Sequence, residues 1–186
     1  MTEEELRDRL MRRPGMSHLT AVQAEDLLLE AADVVRDHVG WHLWPSREET
    51  ITVDARGGTT VPLPTLHLTD LTSVATARGE EWVDVEGVAW SEGGWLLRHG
   101  CWPDGPRSVR ASIVHGYAGP PGAVPSVLIG LAARTATAPA GVSSEQSGGE
   151  SLSYATAAAS DYAGGPGLLS PAEMRVLDRY RIGAAP

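Results

Sequence analysis

Lysine, asparagine and phenylalanine are absent from the 186 residues, and cysteine occurs once. A chain without lysine can be neither a Schiff-base enzyme nor a nucleotide binder with a P-loop lysine. The single cysteine, Cys101, cannot close an intramolecular disulfide, which suits a reducing assembly compartment. Its expected role is that of a small buried or half-buried side chain, not a reactive thiol. No apolar run approaches the ~20 residues that span a bilayer, so no membrane partner is expected. The opening Thr2-Glu3-Glu4-Glu5 is acidic, whereas a secretory signal begins basic and then turns apolar, so none is read here. Lys, Asn and Phe share AT-rich codons, and their joint absence points to GC-rich coding. All fifteen cations are Arg, and against 24 acidic residues they leave a net charge of −9. That balance disfavours tight nucleic-acid binding, which works by neutralising phosphates. It does not oppose the passage of DNA along a surface that repels it.

What is present divides into a helical frame and a β insertion. Thr2 and Glu5 form a capping box ahead of Leu6 and Leu10, and Arg12-Arg13-Pro14-Gly15 closes that short helix. Thr20 and Gln23 form a second box. Behind it Ala24, Leu27, Leu28, Ala31, Val35 and Val39 make one apolar stripe that ends at Gly40, with Glu25, Asp26, Glu30, Asp33, Arg36 and Asp37 mostly on the wet side. Trp41 and Trp44 follow and are expected to cover the edge of a core.

From Glu48 the period changes to two. Ile51 and Val53 predict a strand, Gly57-Gly58 a turn, and Val61 and Leu63 a returning partner, confined to an edge by Pro62 and Pro64. Further strands are expected near Thr72–Ala77 and Trp82–Val85. A hairpin at Ser91–Gly94 is expected to bring the Trp90 and Trp95 indoles together. Val109, Ala111 and Ile113 alternate with Arg110 and Ser112, and this last strand runs through Gly116–Gly122 into a helix opened by Pro125. The fold class that results is α+β: a helical frame of about four helices, with a small antiparallel β-sheet of five to seven strands inserted between the second and third long helices. The boundaries read as one domain, 1–186. N-terminal helices occupy 1–45, the β insertion 48–117, a helix 124–138, a flexible Gly/Ser/Ala-rich arm 140–168, and a C-terminal helix and tail 170–182. Leu152, Tyr154 and Tyr162 are too many anchors for a bare linker, so the arm is expected to order against a neighbour. Ser170, Pro171 and Glu173 write the start of the last helix, with a Leu169–Met174 staple and a shared face at Met174, Leu177 and Tyr180/Arg181.

A search for chemistry returns no catalytic constellation. There is no G-x-S-x-G elbow, and Ser160-Asp161 falls in the arm. His38 and His42 have the spacing of two metal ligands, but Gly40 interrupts the helix between them and no third ligand stands near. His115, beside Tyr117 at a strand end, is the best proton-transfer candidate, against the plainer reading of a satisfied histidine. Arg107/Arg110 and Arg175/Arg179/Arg181 are the densest basic groups. No cofactor and no metal is expected, and the chain is read as not an enzyme.

The order of these elements resembles the head-to-tail adaptor (connector, or head-completion) proteins of long-tailed bacteriophages. The likeness runs from Val39-Gly40-Trp41 through Leu63-Pro64, Trp102-Pro103 and Val109 to Gly119. It continues through Glu150-Ser151-Leu152-Ser153-Tyr154 to Leu169-Ser170-Pro171-Ala172-Glu173 and Leu177-Asp178-Arg179-Tyr180-Arg181. The resemblance implies a structural virion protein at the head-tail neck, assembled in the host cytoplasm. It implies a homo-oligomeric ring, a dodecamer, beneath the portal protein. Such a ring extends the DNA channel and offers a platform to a stopper or tail-completion protein, and DNA meets it only in passage through the lumen. It implies that Leu177, Arg179, Tyr180, Arg181, Ile182, Leu152 and Tyr154 face the portal or a neighbouring subunit. The alternatives are another neck or tail-completion protein (a stopper or terminator), or a small enzyme with a pocket near His115 and Tyr117.

Overall fold

The computed structural model describes residues 1–137, 144–147, 150–153 and 167–183. In chain order the elements are α1 (Glu3–Met11), α2 (Ala21–Val39), β1 (Arg47–Arg56), β2 (Thr60–Pro62), β3 (Leu68–Arg78), β4 (Glu81–Asp84), β5 (Ala89–Trp90), β6 (Trp95–Leu97), β7 (Asp104–His115), α3 (Val124–Thr137), β8 (Ser144–Ser147), β9 (Glu150–Ser153) and α4 (Pro171–Leu177), followed by a 3-10 turn at Asp178–Tyr180. The fold is α+β, with the antiparallel strands β1–β7 inserted between α2 and α3. The chain forms two compact units. Met1–Gly40 and Gly119–Arg181 make one, and Trp41–Ala118 forms the body of the other.

The helical unit follows its caps. Both Thr2/Glu5 and Thr20/Gln23 are complete capping boxes. Gly40 ends α2 in the left-handed region at φ 79°, a conformation that costs a side-chain-bearing residue more than glycine. The buried stripe of α2 is Ala24, Leu28, Ala31, Ala32, Val35 and Val39. It packs on α3, whose Val127, Leu128, Leu131 and Ala132 are buried, and α1 adds Leu6 and Leu10. The arm, read from sequence as a loop, carries an antiparallel pair, β8 with β9, in register from Ser144↔Ser153 to Ser147↔Glu150. The last helix is shorter than its expected span of 170–182. It is α-helical only to Leu177 and then tightens into the 3-10 turn.

In the β unit, β7 is the centre. The four-stranded sheet runs β1-β7-β3-β4, and a three-stranded sheet runs β2-β6-β5. The inward residues of both sheets form one core that includes Val61, Leu68, Leu96, Trp102, Val109, Ala111 and Ile113. The predicted alternation of β7 holds, with Val109, Ala111 and Ile113 fully buried. Arg110 lies out, its guanidinium 4.3 Å from the Trp82 ring centroid.

Three expectations are corrected here. β1 does not pair with the strand that follows it. Its partner is β7, and β2 pairs instead with β6 in the second sheet. Nine of the ten residues of β1 pair with β7, whereas β2 has only three residues, the last of them a proline without a donor. The hairpin around Ser91–Gly94 exists, but its register sets Trp90 opposite Leu96, not Trp95, so the two indoles do not face each other. Cys101 is exposed, not buried or half-buried. It precedes Trp102, which takes the inward position and donates its Nε1 proton to the Thr59 carbonyl at 3.0 Å. Trp41 and Trp44 are buried, as expected.

Truncating Ile113 removes a fully buried side chain from the central strand. Ile113→Ala is expected to cost about 2–5 kcal/mol, against a change within about 0.5 kcal/mol for a polar replacement of the exposed Val83. Denaturant unfolding of the two variants measures both.

Candidate functional site

The sequence singles out two places, the C-terminal segment in the helical unit and the His115 region in the β unit. The C-terminal segment is built on a charged clamp. Ser170 caps α4, accepting from the Glu173 amide at 3.3 Å. Glu173 reaches back to accept from the Ser170 amide at 2.8 Å and hydroxyl at 2.9 Å. Arg134 of α3 grips the same carboxylate in a fork, Nη1 to Oε1 at 2.9 Å and Nη2 to Oε2 at 2.8 Å, and its Nη2 also donates to the Leu168 carbonyl at 3.1 Å. Burial pushes the Glu173 carboxyl up. The hydrogen bonds from Arg134 and Ser170, with the Arg134 charge, outweigh it and hold the group below its ordinary value.

Two more contacts fix the segment. Leu177 is fully buried, and His38 Nε2 of α2 lies 3.0 Å from Asp178 Oδ1. Tyr180 closes over the loop before α3, where a Cβ added to Gly122 would stand 2.6 Å from the tyrosine hydroxyl oxygen. Of the residues that the resemblance assigns to an interface, Leu177 is thus the internal anchor of the segment. Tyr180 and Ile182 are half-buried, and Arg179 and Arg181 are exposed together with Arg175. Leu152 belongs to β9, and Tyr154 lies outside the described residues.

An open groove of about 610 Å³ runs beside the clamp, lined by Arg13, Met16, Ser126, Gly130 and Arg134 among others. Arg13 donates to the Ile129 carbonyl at 3.3 Å. Neither Arg13 nor Arg134 stands out in the sequence as part of this site. The available signals are that Arg134 is the cation in the last turn of α3 and that Arg13 follows the C-cap of α1.

In the β unit, His115 ends β7 with its side chain 1% exposed. Its Nε2 lies 3.0 Å from Glu49 Oε2, and Arg47 grips the same oxygen at 2.6 Å through Nη2. Burial pushes the Glu49 carboxyl up, and the hydrogen bonds from Arg47 and His115 bring it below its ordinary value. Tyr117 stacks on His67, rings 4.0 Å apart and 7° from parallel. His42 donates through Nε2 to the Pro45 carbonyl at 2.6 Å, and its ring lies 5.8 Å from that of His115. This is a packed cluster of rings, and at 1% exposure His115 offers a substrate no surface to touch. Gly40 turns the chain between His38 and His42, and each of these histidines takes a partner of its own.

The architecture has counterparts among solved structures. The fold is shared with chains of gene transfer agent necks. One neighbour comes from the neck of an empty gene transfer agent particle computed with C6 symmetry. It is 17% identical, with a TM-score of 0.66, over 100% of this chain and 91% of its own. A chain of the virion of a native gene transfer agent particle matches with the same values. A third, from the neck of a native particle computed with C12 symmetry, is 19% identical with a TM-score of 0.60, over 98% of this chain and 88% of its own. No family model matches the chain, and no curated protein matches it.

Glu173→Gln tests the clamp. Glutamine keeps the reach of the capping box but removes the charge that Arg134 grips, so a loss of about 1–3 kcal/mol is expected. Because the folded-state value of Glu173 is depressed, its contribution is present above the ordinary value of 4.5 and is lost as pH falls through the lowered one. Melting temperatures measured from neutral to acid pH are expected to fall less steeply in the variant than in the parent.

Proposed function

We propose that this chain is a structural protein of the neck of a phage-like particle, and within the neck the head-to-tail adaptor. The observation that carries the proposal is the full-length match. A fold shared end to end, helical frame and β insertion together, with chains of gene transfer agent necks extends well beyond one common motif. In this reading the chain is a subunit of a ring beneath the portal protein, and the ring lengthens the DNA channel and presents a platform for the stopper or tail. The C12 symmetry of one matched neck supports a dodecamer. The net charge of −9 suits a lumen along which DNA slides without sticking. Arg179, Tyr180, Arg181 and Ile182, held in place by Leu177, together with Leu152 and Tyr154 of the arm, are the proposed contacts with the portal or a neighbouring subunit. The ring assembles in the host cytoplasm and resides in the virion. A second reading is a stopper or terminator in the same neck, since the matched structures are described as necks and not by the neck protein matched.

Disrupting the gene in its native source decides whether the chain joins head to tail. The expected outcome is heads and tails that accumulate separately, seen by electron microscopy. Complete tailed particles made without the chain would contradict the proposal.

A further inference from the structure

Seven of the fifteen arginines have a charged or aromatic partner: Arg7, Arg12, Arg36, Arg47 and Arg134 form ion pairs, and Arg98 and Arg110 lie over indoles. Arg175, Arg179 and Arg181, like Arg78 and Arg107, are exposed with no ion pair among the described residues, and they are the ones that stand together on one short segment. The segment that bears them is not loose, because Leu177, the Arg134–Glu173 fork and the His38–Asp178 contact fix its backbone. Exposed guanidiniums on a held segment, without an ion pair among the described residues, suit carboxylates of a partner.

The same unit has a surface of the matching kind. On the outer side of α2, Val22 and Leu29 are 67% and 51% exposed, which is unusual for large apolar residues. Asp26 and Asp33 continue their row at helical spacing, and Glu30 and Asp37 lie alongside, all exposed. Asp33 pairs with Arg36 at 2.9 Å, whereas Asp26, Glu30 and Asp37 have no ion pair among the described residues. The N-terminal part of that surface, Asp26 and Glu30, lies away from the arginine segment of its own copy. The His38–Asp178 contact holds the arginine segment at the C-terminal end of α2, and Asp26 lies roughly 18 Å back along the helix axis from His38.

We propose that the arginine face of one copy seats on the outer face of α2 of a second copy. Arg175, Arg179 and Arg181 meet Asp26 and Glu30, and the exposed Val22 and Leu29 give the contact its apolar centre. The two faces differ, so the contact is head-to-tail, and repeated by rotation it closes a ring. This rests on the neck-ring reading and names the contact by which neighbouring subunits join.

The missing lysines make the test clean. Arg179→Lys introduces the chain's single side-chain amine. A zero-length carbodiimide then couples that amine only to a carboxylate in direct contact. Full-length isotope-labelled and unlabelled copies are mixed, so peptides joining two copies are told apart by mass. Links from position 179 of one copy to the 25–37 stretch of another are the expected result. Reversing that face with Asp26→Arg and Glu30→Arg is expected to lower their yield more than about tenfold, while the melting temperature stays near that of the parent. Links confined to other carboxylates, links only within one copy, no links between copies, or a yield unchanged by the reversal would each overturn this contact. Recovery of the chain in purified particles is scored separately. Presence there with the links misplaced removes this contact alone, whereas absence from the particles removes the neck reading.

Discussion

Burial of Val109, Ala111 and Ile113 on one face of β7 is the contact on which the β unit depends. β7 is hydrogen-bonded on both edges, to β1 and to β3, so its register sets both neighbours at once. The register is not free to slip, because a shift of one residue would turn Arg110 and Ser112 into the core. The β1–β7 register shifts between Val53 and Ala55, where Asp54 alone stands opposite three residues of β7. There Arg107 takes a positive φ of 49°, and its amide donates to Asp54 Oδ1 at 2.7 Å. A bulge held by a side-chain acceptor absorbs the two extra residues, and the pairing resumes beyond it. β7 then delivers the chain through Gly116 toward α3. A Cβ at Gly116 would stand 3.3 Å from the carbonyl oxygens of both His42 and Pro45, a tight approach in addition to its φ of 89°.

Much of the frame was legible because its signals are local. A capping box needs residues three apart, and all three boxes at Thr2, Thr20 and Ser170 close as written. The alternation in β7 and the stripe of α2 are likewise local patterns. Strand pairing is not. Residues paired between β1 and β7 lie 48 to 68 positions apart, and nothing in Ile51 or Val53 names Val109 as the partner. The return at Val61 was the nearest candidate and the wrong one, since a three-residue strand that ends in proline cannot match a ten-residue one. The split into two sheets follows from the same fact. Cys101 was misplaced for a related reason, because residue type alone favours burial but the indole of Trp102 takes the inward position.

The C-terminal site was half legible. The Leu177–Ile182 stretch was named, and the structure separates its parts into an anchor, two half-buried residues and two exposed cations. The partners that fix it, Arg134 and His38, come from helices far away in sequence, and no spacing rule links them to Glu173 and Asp178. Their combined effect is to hold a cationic segment rigid on an otherwise acidic chain. Among the described residues the three exposed arginines Arg175, Arg179 and Arg181 have no ion pair, on a chain whose net charge is −9, and that contrast is what the proposed contact between copies uses. The rings around His115 have another character: His115 is buried, and His42, His67 and Tyr117 are half-buried against neighbouring rings.

The central claim is that this chain is built into the neck of a particle. The most direct measurement is a quantitative mass-spectrometric census of the proteins that co-sediment with it from its native source. The account predicts portal and capsid proteins in the same fraction, with the chain in fixed proportion to the portal protein across independent preparations. A chain that stays in the soluble fraction, with no portal or capsid protein accompanying it, would contradict the account.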